Sequence, residues 1–365
     1  MKSRSRTKRC DGKTQRVPKR IKMGTEFSGM NMASLALTNM GVKHDVLFDN
    51  DNAPACRRFC EKIIKSRCVL KDIAMRDAAS LPYVHWYHYS PSCVAFSPDG
   101  KRDGDSCETG SLWTYAVDYI EKKRPMLITY EMTKSILDNK YRHVLKTMLG
   151  RLRHEGYKLH IKLMRTHDHG IPQRRVRLWV VGCRHWRYEF KWPAKVPLKK
   201  TASMIIKKKK SDDPCRLPSK LDRSISGRRR RWLVKRSYNA LLAQGIDPRR
   251  ALTFTDIGCS KNRGRAGVVE LLPTMTATRA AQRDWWVSTR GGRIKLQELC
   301  EFQGLDGSKA KQWCADARVS RRQLGHMLGN ALSCNVAERV MRVALYCAGL
   351  VTHMPVDNWA PPSTD

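Results

Sequence analysis

From about residue 23 to residue 183, short apolar runs alternate with stretches whose apolar residues recur every three or four positions. The runs fall at 46–48, 69–70, 84–89 and 126–130, and a polar turn follows each one. The longer spacing predicts helices over 31–40, 52–65, 111–123 and 139–155. Strands and helices alternating on this scale predict an α/β fold with a mostly parallel sheet covered on both faces. Residues 157–165 and 176–181 then read as two strands with no helix between them. They place an antiparallel hairpin at one edge of the sheet. Over 184–290 the alternation is lost, and this stretch reads as a separate, irregular lobe. Helical periodicity returns after Arg293 and ends in a long segment, 335–350. There is no internal repeat.

Composition narrows the partners. A chain of 365 residues, 41% of them hydrophobic, can bury one large core, or one core with a smaller lobe. No apolar run approaches the ~20 residues that span a bilayer. Charges without an apolar stretch at the N-terminus argue against a secretory signal. The thirteen cysteines include no C-x-x-C pair, and no paired histidines complete a site with Cys56 and Cys60. They read as free thiols, with no metal. Lys and Arg number 71 against 33 acids, a net charge of +38. Such an excess favours a polyanionic partner, nucleic acid ahead of a membrane surface. Residues 1–22 hold ten Lys/Arg and one Asp, and 184–250 hold 21 Lys/Arg and five acids. The first block reads as a disordered tail, either a phosphate-binding arm or nuclear address, or simply a solvated terminus. The second, with 207–210 and Arg228 to Arg231, reads as mobile basic loops around a recognition element.

Chemistry-bearing residues stand at the strand ends. In open parallel sheets, ligands bind beyond the carboxyl ends of the strands, near the reversal of strand order. The first such turn is Phe27-Ser28-Gly29-Met30-Asn31, where a small residue and a glycine let the backbone approach a ligand. Asp49 and Asp51 end the second strand, where an acid accepts from a ribose diol. Asp72 ends the third, where a carboxylate accepts from an adenine amino group. Each alone is a surface turn or a helix cap. Together they look like the S-adenosylmethionine site of class I methyltransferases.

Three further groups follow in order. Cys93 lies in Ser-Pro-Ser-Cys-Val-Ala-Phe-Ser, Glu131 ends Leu-Ile-Thr-Tyr-Glu, and Gln173, Arg175 and Arg177 lie in Pro-Gln-Arg-Arg-Val-Arg. This ordered set resembles the cytosine-5 DNA methyltransferases. The Cys93 loop is similar to the family's Pro-Cys-Gln-x-Phe-Ser, with Gly100 at the family interval and with Ser92 and Val94 as replacements. Glu131 resembles the glutamate of Glu-Asn-Val, with Met132 and Thr133 replacing the last two residues. Gln173, Arg175 and Arg177 match Gln-x-Arg-x-Arg without substitution. Residues 297–304 resemble the Arg-Leu-Gln-Gly region, with Glu301 where its arginine stands. Residues 272–279, with Thr276, are similar to the threonine-rich signature that ends target recognition. Gly329-Asn330-Ala331 looks like the Gly-Asn-(Ser/Ala) motif and reads as the opening of the final helix. Asn31 stands where the family has a second glycine, and Glu26 where it has an apolar residue.

The resemblance, over about 23–350, implies a Rossmann-like class I methyltransferase fold with a smaller target-recognition lobe. Residues 1–22 would be a basic tail, 23–183 with 293–350 the catalytic domain, 184–292 the target-recognition domain and 351–365 a tail. It implies transfer of a methyl group from S-adenosylmethionine to carbon 5 of cytosine in DNA, on a base rotated out of the duplex. Cys93 would add to carbon 6. Glu131, kept protonated by burial, would donate toward N3. Arg175 and Arg177, two apart on one strand and facing one way, would reach the O2 edge and its phosphate. Gln173, Ser97 and Thr276 would contact the substrate. Phe27, Ser28, Gly29, Asp49, Asp51, Asp72, Asn330 and Ala331 would hold the cofactor. The basic lobe and tail would hold duplex DNA, more weakly as salt rises. The protein would act as a monomer, in the nucleus if eukaryotic and in the cytoplasm otherwise. Two rivals stay open. The chain is a basic nucleic-acid-binding protein whose chemistry was lost through Asn31, Ser92, Val94 and the Glu-Met-Thr change, or it is an RNA cytosine-5 methyltransferase using the same site.

Overall fold

The computed structural model describes residues 16–91, 111–206, 225–263 and 267–361. They form two compact units: the chain to Arg165 with Val176–Lys195 and Cys334–Trp359, and Thr166–Arg175 with Val196–Ser333 and the residues after Trp359.

The first unit is built on a seven-stranded sheet. Its elements run β1 (Ile21–Glu26), α1 (Met32–Asn39), β2 (His44–Asn50), α2 (Pro54–Phe59), β3 (Val69–Leu70), β4 (Trp86–Tyr89), α3 (Trp113–Lys123), β5 (Leu127–Thr133), α4 (Arg142–His154) and β6 (Lys158–Arg165). After β7 (Gln173–Arg174), in the other unit, β8 (Val176–Cys183) completes it. The order is β3-β2-β1-β4-β5-β8-β6. β1 to β5 run parallel to one another, and β8 is antiparallel to both β5 and β6, so the expected hairpin forms one edge. β1 begins at Ile21, earlier than the alternation predicts, because Ile21 and Met23 are buried around outward-facing Lys22. The helix expected over 52–65 is α2 followed by a π-helical turn, Cys60–Ile64, which Lys65 closes in the left-handed region.

β4 lies in the middle of the sheet, and all four of its residues are buried. Tyr87 and Tyr89 face one layer, with ring centroids 4.6 Å from Tyr119 and 4.8 Å from Tyr130. Trp86 and His88 share the Thr129 hydroxyl, Trp86 Nε1 donating at 2.9 Å and His88 Nδ1 lying at 2.8 Å. A strand covered on both faces has no solvent side to alternate against, which is why it reads as a continuous run.

In the second unit β7 pairs in parallel with β11 (Leu272–Pro273). A small antiparallel sheet runs β10-β9-β12-β13, from β9 (Thr253–Asp256), β10 (Val268–Val269), β12 (Trp285–Val287) and β13 (Gly292–Arg293). Around it lie α5 (Ala202–Ile205), α6 (Ile225–Leu242), α7 (Ala277–Gln282), α8 (Leu296–Phe302), α9 (Ala310–Asp316) and α10 (Arg321–Asn330). The expected loop at Arg228 to Arg231 is instead part of α6, an 18-residue helix. Its Leu233, Val234 and Leu241 are buried, and Val234 clusters with Ile257 and Trp286. The residues at 207–210 lie outside the described set.

α11 (Cys334–Cys347) returns to the first unit and packs on α1. Asn39 Nδ2 donates to Glu338 Oε1 at 2.8 Å, and Trp359 Nε1 donates to its other oxygen at 2.9 Å. The Gly-Asn-Ala motif does not open this helix. Gly329 and Asn330 end α10, and Ala331 leaves it in extended backbone, ψ 156°.

Candidate active site

The turn after β1 sits where the sheet order reverses, between β1–β2–β3 on one side and β4–β5 on the other. Phe27, Gly29 and Asn31 all take positive φ, at 55°, 58° and 45°. A Cβ at Gly29 would meet nothing within 4 Å, so the turn presents bare backbone to open space. Asn31 caps α1. Its Oδ1 accepts from Ser34 N at 3.0 Å, while its Nδ2 donates to Asp49 Oδ1 at 2.8 Å and to Thr25 Oγ1 at 3.1 Å. Asparagine is among the few residues that tolerate this conformation, and here its side chain adds a cap.

The two acids of β2's end divide. Asp49 is buried, its oxygens taken by Thr25, Asn31 and Ser66. Asp51 faces the turn: Oδ2 accepts from Gly29 N at 2.9 Å and Oδ1 from Ala53 N at 2.9 Å. Burial pushes the Asp51 pKa up, partly opposed by those amides. Ser28 bonds Thr25 at 2.7 Å and Asn50 O at 3.2 Å, and Phe27 packs against the core. Asp72 is exposed and accepts from Ala74 N at 2.9 Å. Cys56 and Cys60 lie behind the turn, where burial pushes both thiols up.

Glu26 is explained by a residue that sequence reasoning missed. Arg76 grips it with two bonds, Nε to Oε1 at 2.6 Å and Nη2 to Oε2 at 2.9 Å, and Tyr87 OH donates to the same carboxyl. No spacing signal links positions fifty residues apart.

A second cluster lies at the carboxyl ends of β4 and β5. Ser90 Oγ approaches Glu131 O at 3.0 Å and Oε2 at 3.2 Å, and Arg177 Nε lies 3.4 Å from Oε1. Glu131 is buried in this grip. The Ser90 backbone N also donates to Glu26 O at 3.3 Å, tying the cluster to the end of β1. Cys93 comes three residues later in sequence; with Ser92, Val94, Ser97 and Gly100 it lies outside the described residues.

The two arginines expected on one strand part company. β8 begins at Val176, so Arg177 is on the strand while Arg175 precedes it, in the second unit. Arg175 is buried, with Nη1 donating to Met275 O at 3.1 Å and Gly329 O at 3.3 Å. Gln173 is likewise interior, donating to Phe302 O at 2.7 Å and Gln303 Oε1 at 2.8 Å. Gln303 in turn donates to Ala331 O at 2.7 Å. Three motif segments are thus joined by hydrogen bonds. Thr276 caps α7 through its backbone, Asn330 is exposed and Ala331 half-buried. Glu301 pairs with Lys200 and accepts from Gly307 N at 2.8 Å.

The sequence matches the profile of the C-5 cytosine-specific DNA methylases over residues 21–345. The chain belongs to this family. As a C-5 methylase it is 24% identical over 181 residues to the orphan methyltransferase M.SPRI of Bacillus phage SPR, covering 47% of this chain and 41% of that one. It is 26% identical over 170 residues to the type II methyltransferase M.MthTI of Methanothermobacter thermautotrophicus, covering 46% and 51%. These matches span about half or less of each relative. In fold the methylase chain is similar to an E. coli prophage protein assigned as a DNA modification methyltransferase, with TM-score 0.59, 16% identity, and 89% and 98% of the two chains covered. Such relatives, from a phage and an archaeon, lend no support to a nuclear location. Among the described residues, no helix is long and apolar enough to cross a membrane, and no His/Cys/Asp/Glu cluster could hold a metal.

Proposed function

We propose that this protein methylates carbon 5 of cytosine in DNA through a covalent cysteine adduct. The observation that carries the reading is Glu131 held by Arg177 and by Ser90, which lies beside the β1 turn and three residues before Cys93 in sequence. Cys93 adds as thiolate to carbon 6 of a flipped cytosine, a proton reaches the N3 side from Glu131, and carbon 5 gains enamine character. S-adenosylmethionine, when bound, supplies an electrophilic methyl to that carbon. The carbon-5 proton then leaves to a base and the thiolate is expelled, restoring the ring. Arg177 supplies the positive charge that stabilises the adduct and orients Glu131.

The cofactor fits the open Gly29 turn, with Asp51 as ribose acceptor and Asp72 toward the adenine. Asp49 supports this site from behind, because it is buried where Asp51 is only partly so. Arg175 and Gln173 act as positioning residues through the backbone carbonyls they bind.

The test is a duplex carrying 5-fluorocytosine, which retains fluorine where a proton must depart. A covalent, denaturation-resistant adduct that needs S-adenosylmethionine and disappears in Cys93→Ala is expected. No adduct while S-adenosylmethionine binds sinks the mechanism, and transfer to RNA but not to DNA replaces the substrate.

A further inference from the structure

α6 carries six Lys/Arg and no acid across Ile225–Leu242. Arg228 to Arg231 sit in its N-terminal half, where cations oppose the helix dipole, and like charges three and four apart repel. This charge does not serve the helix. Its orientation is fixed from the inside: Leu233, Val234 and Leu241 are buried, Ser237 Oγ lies 2.8 Å from Thr255 Oγ1, and Arg230 Nη2 donates to Asp284 Oδ1 at 3.0 Å. The opposite face is therefore held outward. Arg228, Trp232, Lys235, Arg236 and Asn239 are exposed along it, at the four- and seven-residue spacing of one helical stripe.

Trp232 distinguishes this stripe from an ordinary solvated face. The residue is 38% exposed, with the Arg236 guanidinium 5.1 Å and Lys261 Nζ 5.6 Å from the ring centroid. Arg236 Nη1 also donates to Lys261 O at 3.2 Å. Two cations from separate segments are thus held against one exposed aromatic, so their positions are set before any partner arrives.

We propose that the outward face of α6, with Lys261, is a docking surface for duplex DNA. Arg228, Lys235, Arg236 and Lys261 meet backbone phosphates, and Trp232 spaces the cations and packs against the sugar edge. From Arg228 to Asn239 the stripe runs about 17 Å at the helical rise, enough to cross a B-form major groove about 12 Å wide. A-form RNA has a major groove too narrow and deep for such a helix, so the rigid stripe favours DNA. This rests on the DNA reading above and extends it to a named surface.

The test measures anisotropy of a short labelled duplex against the full chain between about 50 and 200 mM salt. Arg228→Ala/Lys235→Ala/Arg236→Ala should weaken binding at least tenfold and lower the log–log salt slope by about 2–3, near 0.9 per phosphate lost. Trp232→Ala should weaken binding several-fold. Lys235→Glu, one exposed change, carries the test if the triple variant melts early. Wild-type affinity and slope in a folded variant overturn the proposal, as does an equal or larger loss on an RNA hairpin. S-adenosylmethionine binding should be unchanged in every variant. α6-dependent binding without any 5-fluorocytosine adduct leaves the docking surface standing and removes the chemistry. Adduct formation and DNA binding both indifferent to α6 do the reverse.

Discussion

Asn31 caps α1, accepts a left-handed backbone and donates to Asp49, so substitution separates three effects. Asn31→Ala should cost about 2–3 kcal/mol, from left-handed strain and the lost cap. Asn31→Gly removes only side-chain bonds and should cost about 1 kcal/mol. Urea unfolding of the two variants checks the order, and a milder alanine variant would contradict it. His88 offers a pH test. Burial lowers its pKa to about 3. Below the ordinary value of about 6.5 the unfolded chain binds a proton that the folded chain refuses. Stability should therefore fall as pH drops from 6.5 toward 3, by up to about 1.4 kcal/mol per unit, and His88→Asn should flatten that limb in denaturation series. The family-like residues were legible because each sits in a short motif. Glu26 was not, since its partner Arg76 is distant in sequence and is brought near only by the sheet.

Helix α10 approaches α7 closely enough that a Cβ at Gly329 would fall 2.4 Å from Thr276 O, a backbone atom that cannot swing aside. Gly329→Ala should cost about 1–3 kcal/mol by overpacking and lower the melting temperature by several degrees. Calorimetry decides this, and an unchanged melt would show that the helices separate freely. Periodicity revealed the helices of the first unit because their buried faces are apolar. It missed α6, whose inner face includes Ser237 and whose arginines resemble a solvated loop. It also merged Gly-Asn-Ala with the last helix, although the extended backbone at Ala331 breaks the chain into two helices.

A net charge of +38 over 365 residues means that the folded chain repels itself. Added salt screens exposed charges beyond about 10 Å at 0.1 M. The melting temperature should therefore rise by a few degrees between low and moderate salt, even as affinity for a polyanion falls. A melting temperature that falls over this range would show that exposed attractive pairs such as Lys122–Asp118 outweigh the exposed excess. The charge was plain in the sequence, but the division of Gln-x-Arg-x-Arg was not. The strand pattern carries no mark of the boundary between Arg175 and Val176, where the backbone passes from one unit to the other.

That interleaving governs how the molecule is made. The first unit takes its closing helix from Cys334–Cys347, after nearly all of the second has been synthesised. A ribosome halted before residue 334 would leave α1 without its covering layer, so an early stop yields an unfinished core and not a smaller working body.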